Sequence, residues 1–234
     1  MKKHIPNFIT CLNLFSGCIG TVFAFNGDLK TAAYFVILSA VFDFFDGFVA
    51  RLLNVKSNIG KELDSLADMV SFGFLPGMVM FQLITQSLIG NSSHQILISY
   101  LPYIAFLITI FSALRLAKFN IDTRQSVDFI GLNTPMNTLF IVSLPFVNDQ
   151  YPELLESIPL LLGITFLMSY LLVGEFRLFS MKFTSLSWSL NKYRFSFLIV
   201  SSLLIIFLKF AAIPIILALY IAFSYIHFRN IPSS

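Results

Sequence analysis

The hydrophobic positions of this 234-residue chain come in long runs rather than in stripes. A helix crossing a bilayer needs about 20 predominantly apolar residues. Runs near that length cover residues 5–26, 29–54, 61–88, 96–117, 133–148, 158–174, 195–209 and 212–228, which predicts eight spanning helices. The fifth and sixth runs are short, and the last two meet tightly around Lys209 and Pro214. Strands are not expected, because the runs are too long and do not alternate. The fold class is therefore all-α, a polytopic transmembrane helical bundle. It divides into a six-helix core over residues 1–175, then residues 176–234 as an interfacial segment plus a C-terminal hairpin. Within the latter, Gly174–Arg194 mixes Phe, Leu and Trp188 with Arg and Lys. That mixture fits a helix lying on the membrane surface or an ordinary basic loop. No cleavable leader is expected, because the apolar run after Met1–His4 is long enough to span.

Composition and charge give the bundle an orientation. The chain is 57% hydrophobic and only 12% charged, against about 25% charged in a soluble domain. Too few polar groups exist to coat a water-facing surface, which excludes a soluble enzyme, a disordered chain and a secreted disulfide scaffold. With the N-terminus inside, 13 of the 15 Lys and Arg residues fall on the cytoplasmic side, and only Lys30 and Lys209 fall outside. That bias follows the positive-inside rule and places both termini in the cytoplasm. The outer loop holding Asp149, Glu153 and Glu156 carries no base. Cys11 and Cys18 are expected as buried free thiols, since cysteine behaves as a small hydrophobe. His4, His94 and His227 are expected at surface or interfacial positions.

Four aspartates break this apolar pattern. Asp43 and Asp46 lie three apart on the second run, and Asp64 and Asp68 four apart on the third. Each pair occupies one helix face. A short basic turn joins the two runs, so the helices are antiparallel neighbours and both pairs converge near the cytoplasmic end. At mid-bilayer each carboxylate would cost roughly 3 kcal/mol, so they must face a protein interior, a hydrated cavity or a metal. Oxygen-only ligation suits Mg²⁺ or Mn²⁺, which also bind phosphate oxygens. Two such ions could hold a diphosphate and assist an in-line displacement at phosphorus. A salt-bridged bundle is a poorer account, because Arg51 and Lys61 cannot balance four acids. A proton or cation pathway is the other serious reading.

The residues around the acids bear on the choice. Small Gly47, Ala50 and Gly60 permit close approach of a ligand to helix backbones. Arg51 stands beside the acids, where it can take an anionic phosphate. The stretch from Asp43 through Asp46-Gly47, Ala50-Arg51, Gly60 and Asp64 to Asp68 matches in full the signature D-x2-D-G-x2-A-R-x8-G-x3-D-x3-D. On it the chain resembles the CDP-alcohol phosphatidyltransferase family. Gly60–Gly73, with Ser65 and Ser71, closely resembles the membrane-integral bacterial phosphatidylserine synthases. Ile5–Thr10, Asn13–Gly17, Ala113–Asn120 and Gly131–Pro135 look like that group's further motifs, over roughly residues 4–175. Lys118 departs from the Arg common in relatives.

The resemblance implies transfer of a phosphatidyl group from CDP-diacylglycerol to the hydroxyl of L-serine, with release of CMP. It implies that Asp43 and Asp64 bridge two divalent ions, Mg²⁺ or Mn²⁺, with Asp46 completing one site and Asp68 the other. Asp68 would also act as general base. Asn7, Thr10, Gly47, Ala50, Arg51, Ser57 and Gly60 would take the CDP-diacylglycerol. For the serine carboxylate Arg115 is favoured, with Asn120 as a polar neighbour and Ser65, also a branch marker, as a further candidate for the serine pocket. The group's setting implies the bacterial inner membrane, a cytoplasmic active site, a homodimer and no nucleic-acid partner. The segment Gly73–Gly77 offers a small-xxx-small face for helix packing or dimerisation, unless a kink at Pro76 accounts for it. Two alternatives remain at this point: the same chemistry on glycerol 3-phosphate, inositol or inositol phosphate, and a non-enzymatic transporter.

Overall fold

The computed structural model describes residue 2 and residues 4–55, 57–90, 96–122, 128–181 and 188–229. Lys56, His94, Arg124 and Lys182 lie outside the described residues. The chain begins with α1 (His4–Phe25) and α2 (Leu29–Leu52), paired as an antiparallel hairpin. Asp28 caps α2, its carboxylate accepting from the Thr31 N–H at 3.1 Å. α1 buries Thr10, Asn13, Ser16, Gly17, Gly20 and Ala24 and exposes Phe8 and Phe15. This inversion is what lipid selects. Apolar side chains lose nothing by facing acyl chains, so helices associate through small and polar residues. Ser39 and Ser71 both donate to the Asn13 carbonyl, at 3.2 and 3.1 Å, and Ser16 donates to the Phe35 carbonyl at 3.0 Å. A Cβ on Gly17 would run into Ser71.

The same inversion corrects the expectation for the cysteines. Cys11 and Cys18 are free but exposed. They share a face, and it is the one opposite the buried polar stripe.

After α2 the chain reverses through Asn54, whose φ of 51° is left-handed, a region asparagine tolerates. Ser57 then caps α3 (Asn58–Asp68), its Oγ accepting from the Gly60 N–H at 3.2 Å. α3 runs without a break through a π-helical turn, Met69–Phe74, into α4 (Leu75–Gly90). A π turn frees carbonyls from the α-helical ladder, and buried carbonyls need partners. Thr138 Oγ1 donates to the Phe72 carbonyl at 2.7 Å, and Thr109 Oγ1 to the Gly73 carbonyl at 3.1 Å.

A 3₁₀ stretch, Ile96–Ala105, leads into α5 (Phe106–Ile121). Gly73 and Gly77 turn toward Ser112 and Thr109 of α5, so within the chain their small face packs helices. After the two-residue strand β1 (Phe129–Ile130), Asn133 caps α6 (Thr134–Gln150), its Oδ1 accepting from the Met136 N–H at 2.9 Å. Next come the one-turn α7 (Pro152–Leu155) and α8 (Ile158–Val173), α8 packing along α5. The strand β2 (Arg177–Leu178) pairs antiparallel with β1, which the sequence pattern did not predict. No helix is described within Gly174–Met181, and residues 182–187 lie outside the described set. The chain closes with α9 (Trp188–Leu208), a 3₁₀ turn at Lys209–Ala212, and α10 (Ile213–Arg229).

Helices occupy each run expected to be one. Five segments are long and apolar enough to cross a membrane: His4–Phe25, Leu29–Leu52, Asn58–Ile89, Tyr100–Ile121 and Asn191–Arg229. The last is the terminal hairpin, broken at its 3₁₀ turn. The architecture is an all-α membrane bundle.

Candidate active site

Two helices bring the four aspartates together. The i, i+3 spacing on α2 and the i, i+4 spacing on α3 each put a pair on one face, and the Asn54 turn sets those faces toward each other. Asp43, Asp64 and Asp68 are half-buried and present carboxylate oxygens all within 4.8 Å of one another. Asp46 is 7% exposed and accepts from Thr10 Oγ1 at 2.7 Å. Asp68 Oδ1 accepts from Asn13 Nδ2 at 3.2 Å. Among the described residues none of the four aspartates lies within ion-pair distance of a Lys or Arg. The site is therefore oxygen-only and electron-rich, and Asn13 Oδ1 adds a buried acceptor without a partner among the described residues. Hard oxygen donors with no base at ion-pair distance among the described residues fit a divalent cation.

A cavity of about 260 Å³ opens on one side of the cluster. Asn7, Thr10, Gly47, Ala50, Ser57 and Gly60 line it, together with Asp46 and Asp64. Six of the seven residues expected to take CDP-diacylglycerol thus meet in one place. Arg51, the seventh, is exposed at its rim, its guanidinium 3.9 Å from where a Gly47 Cβ would sit. Beyond the helix's own backbone, nothing among the described residues lies closer to that point, so the missing side chain leaves open space rather than a packing contact. At Gly60 a Cβ would stand 2.9 Å from Asn7 Oδ1.

A second cavity, about 110 Å³, opens on the other side. Asp68 and Arg115 line it with Phe119, Phe129, Asn133 and Thr134. Arg115 is 5% exposed; its Nε donates to the Leu132 carbonyl at 3.2 Å and its guanidinium lies 5.3 Å from the Phe119 ring centre. Asn120 and Ser65 are not brought there. Asn120 Nδ2 donates to Ser65 Oγ at 2.8 Å, and Lys61 Nζ donates to the Asn120 carbonyl at 3.0 Å. These bonds tie α5 to α3 beside the site. Asn13, Phe129, Asn133 and Thr134 join the site without having been expected from spacing. All but Phe129 stand in stretches with a recognisable motif, yet none has the spacing of a ligand set.

The family model described as CDP-alcohol phosphatidyltransferase matches residues 3–172. A Helicobacter pylori (strain J99) protein named CDP-diacylglycerol–serine O-phosphatidyltransferase is 31% identical over 225 residues, 94% of this chain and 89% of its own. A Bacillus subtilis protein of the same name is 32% identical over 180 residues, 75% of this chain and 89% of its own. An archaetidylserine synthase of Methanothermobacter thermautotrophicus is 29% identical over 152 residues, covering 64% and 60%. The acid signature, the cavity beside it and a match across most of the chain lead to one conclusion: the chain is an integral membrane protein of the CDP-alcohol phosphatidyltransferase family.

Proposed function

We propose that this protein is a phosphatidylserine synthase, transferring the phosphatidyl group of CDP-diacylglycerol to L-serine and releasing CMP. One observation carries the reading: Asp64 lines one cavity, Asp68 lines the other, and their carboxylates meet within 4.8 Å. A donor and an acceptor held in the two cavities would face each other across the acid cluster.

The larger cavity takes the CDP portion, with Gly47 and Ala50 allowing close approach and Arg51 at the rim for a phosphate. The acyl chains stay in lipid beside α2. In the smaller cavity the Arg115 guanidinium holds the serine carboxylate, and Asp68 accepts the proton of the serine hydroxyl. The serine oxygen then bonds to the phosphatidyl phosphorus, the bond from phosphorus to the CMP oxygen breaks, and CMP leaves. Asp43, Asp46, Asp64 and Asp68 would hold divalent ions, Mg²⁺ or Mn²⁺. Bound there, such ions offset charge developing on the phosphoryl oxygens. Thr10 and Asn13 fix the carboxylates of Asp46 and Asp68 by the bonds they donate. Serine and CMP are water-soluble, and the excess of basic residues toward this end of the bundle supports a site at the cytoplasmic face, in the bacterial inner membrane. Residues 1–175 form the catalytic core. A homodimer is the expected assembly, and neither cavity calls for a nucleic acid.

The test is an alcohol competition on the purified protein. CMP release should require CDP-diacylglycerol, a divalent ion and serine. Release with glycerol 3-phosphate or inositol but not serine would overturn the serine assignment and leave the phosphatidyl transfer standing.

A further inference from the structure

The terminal hairpin, α9 and α10, lies beyond the residues that the family model matches, yet it is linked through β2 and β1 to the wall of the smaller cavity. Phe129 lines that cavity and is half of β1. β1 is held by β2, with Phe129 opposite Leu178 and Ile130 opposite Arg177, and two further bonds continue the hold. The Gly131 N–H donates to the Phe176 carbonyl at 2.9 Å, and the Leu132 N–H to the Leu171 carbonyl at 2.8 Å. An isolated ladder of two residues is weak, since pairing alone does not stabilise so short a ribbon. Phe179, directly after β2, supplies the missing support. Its carbonyl accepts from the Tyr220 hydroxyl at 2.7 Å, and its N–H donates to Ser224 Oγ at 3.4 Å. Tyr220 and Ser224 are both on α10 and both buried, one turn apart. The Phe179 ring is fully buried between Tyr220, at 5.1 Å, and Phe197 of α9, at 6.1 Å.

We infer that the C-terminal hairpin is a clamp for the acceptor cavity, with Tyr220 as its positioning residue. Tyr220 fixes Phe179, Phe179 fixes β2, and β2 fixes the Phe129 wall opposite Asp68 and Arg115. Tyr220 lines neither of the two cavities, so it acts through Phe179. This rests on the reading of the smaller cavity as the acceptor's. The larger cavity shares no residue with the clamp, so the two substrates should respond differently when the clamp is loosened.

The experiment is Tyr220→Phe in the full-length protein, which removes the hydroxyl and keeps the ring. The net worth of one such bond corresponds to roughly a 2- to 10-fold effect. KM for the acceptor alcohol should rise by about that factor, while KM for CDP-diacylglycerol and the divalent-ion titration stay where they were. Adding Ser224→Ala should widen the split further. Equal changes in both KM values, or an unchanged acceptor KM in the double variant, would overturn the clamp. The acceptor is whichever alcohol the unaltered protein uses. A protein that used another alcohol in place of serine would refute the serine assignment, and the KM split would still decide the clamp.

Discussion

α2 handles charge differently at its two ends. At the start of the helix Asp28 caps the first turn, and Lys30 Nζ meets Asp149 of α6 at 2.7 Å, both side chains about half exposed. Every charge there has a partner supplied by the protein. Farther along the helix, Asp43 and Asp46 stand with Asp64 and Asp68, and among the described residues no base is near enough to pair with them. Leaving carboxylates uncompensated in a membrane bundle opposes folding. Such an arrangement persists where something outside the chain completes it. Charge that serves structure is neutralised within the fold, and charge that serves chemistry is left for a ligand.

The largest test of that contrast lies in the acids. Asp68→Asn keeps the shape and removes the base, and should lower CMP release about 100- to 10,000-fold, the usual span for a general base. The folded protein should still appear in the membrane fraction. Asp43→Ala should cut the rate and also shift the divalent-ion titration to higher concentration. An unshifted titration would mean that Asp43 holds no ion.

Glycines give the next test, on a smaller scale. Gly47→Ala adds a methyl to open space on the cavity wall, and alanine is the better helix former by about 1 kcal/mol. Thermal stability should hold or rise while KM for CDP-diacylglycerol increases. Gly17→Ala should do the reverse, because the added Cβ meets Ser71: stability falls by about 1–3 kcal/mol, and the surviving folded enzyme keeps its KM. If both behave alike, Gly47 is a packing residue and the cavity assignment is weakened.

The smallest effect belongs to the paired end. Lys30→Met breaks an exposed ion pair, worth under about 1 kcal/mol. A thermal-shift assay should barely move and CMP release should not change. A large loss of activity would abolish the distinction between the two ends.

Much of this was legible in the sequence because the decisive residues break a rule. Acids are conspicuous in apolar runs, and helical periodicity turns the spacings 43/46 and 64/68 into faces. The small residues Gly47, Ala50 and Gly60 were legible for the same reason, since they follow the acids at fixed intervals. Burial was not. In lipid, hydrophobicity no longer distinguishes inside from outside, so Cys11 and Cys18 looked like core residues although they sit on the exposed face of α1. Contacts over long separations were also hidden. Asn13 reaches Asp68 across 55 positions, and nothing in its neighbourhood announces an amide aimed at a carboxylate. Asn120 and Ser65 read as lining because polar residues near a site invite that reading, whereas they hydrogen-bond to each other. β1 and β2 are two residues each, too short to leave any period.

The π turn after Asp68 has a consequence of phase. An extra residue in a helix advances everything beyond it by about 100°. The rod from Asn58 to Ile89 therefore carries two registers, one aiming Asp64 and Asp68 at Asp43, the other seating Leu75, Val79 and Leu83 in the core. The hydroxyls of Thr109 and Thr138 hold the join where the registers change. Restoring an ordinary helix by removing one residue from Met69–Phe74 would turn both carboxylates away from Asp43 while the anchor stayed put. The acid pair is indexed to the bundle by a count of residues, much as a key is cut relative to its shoulder.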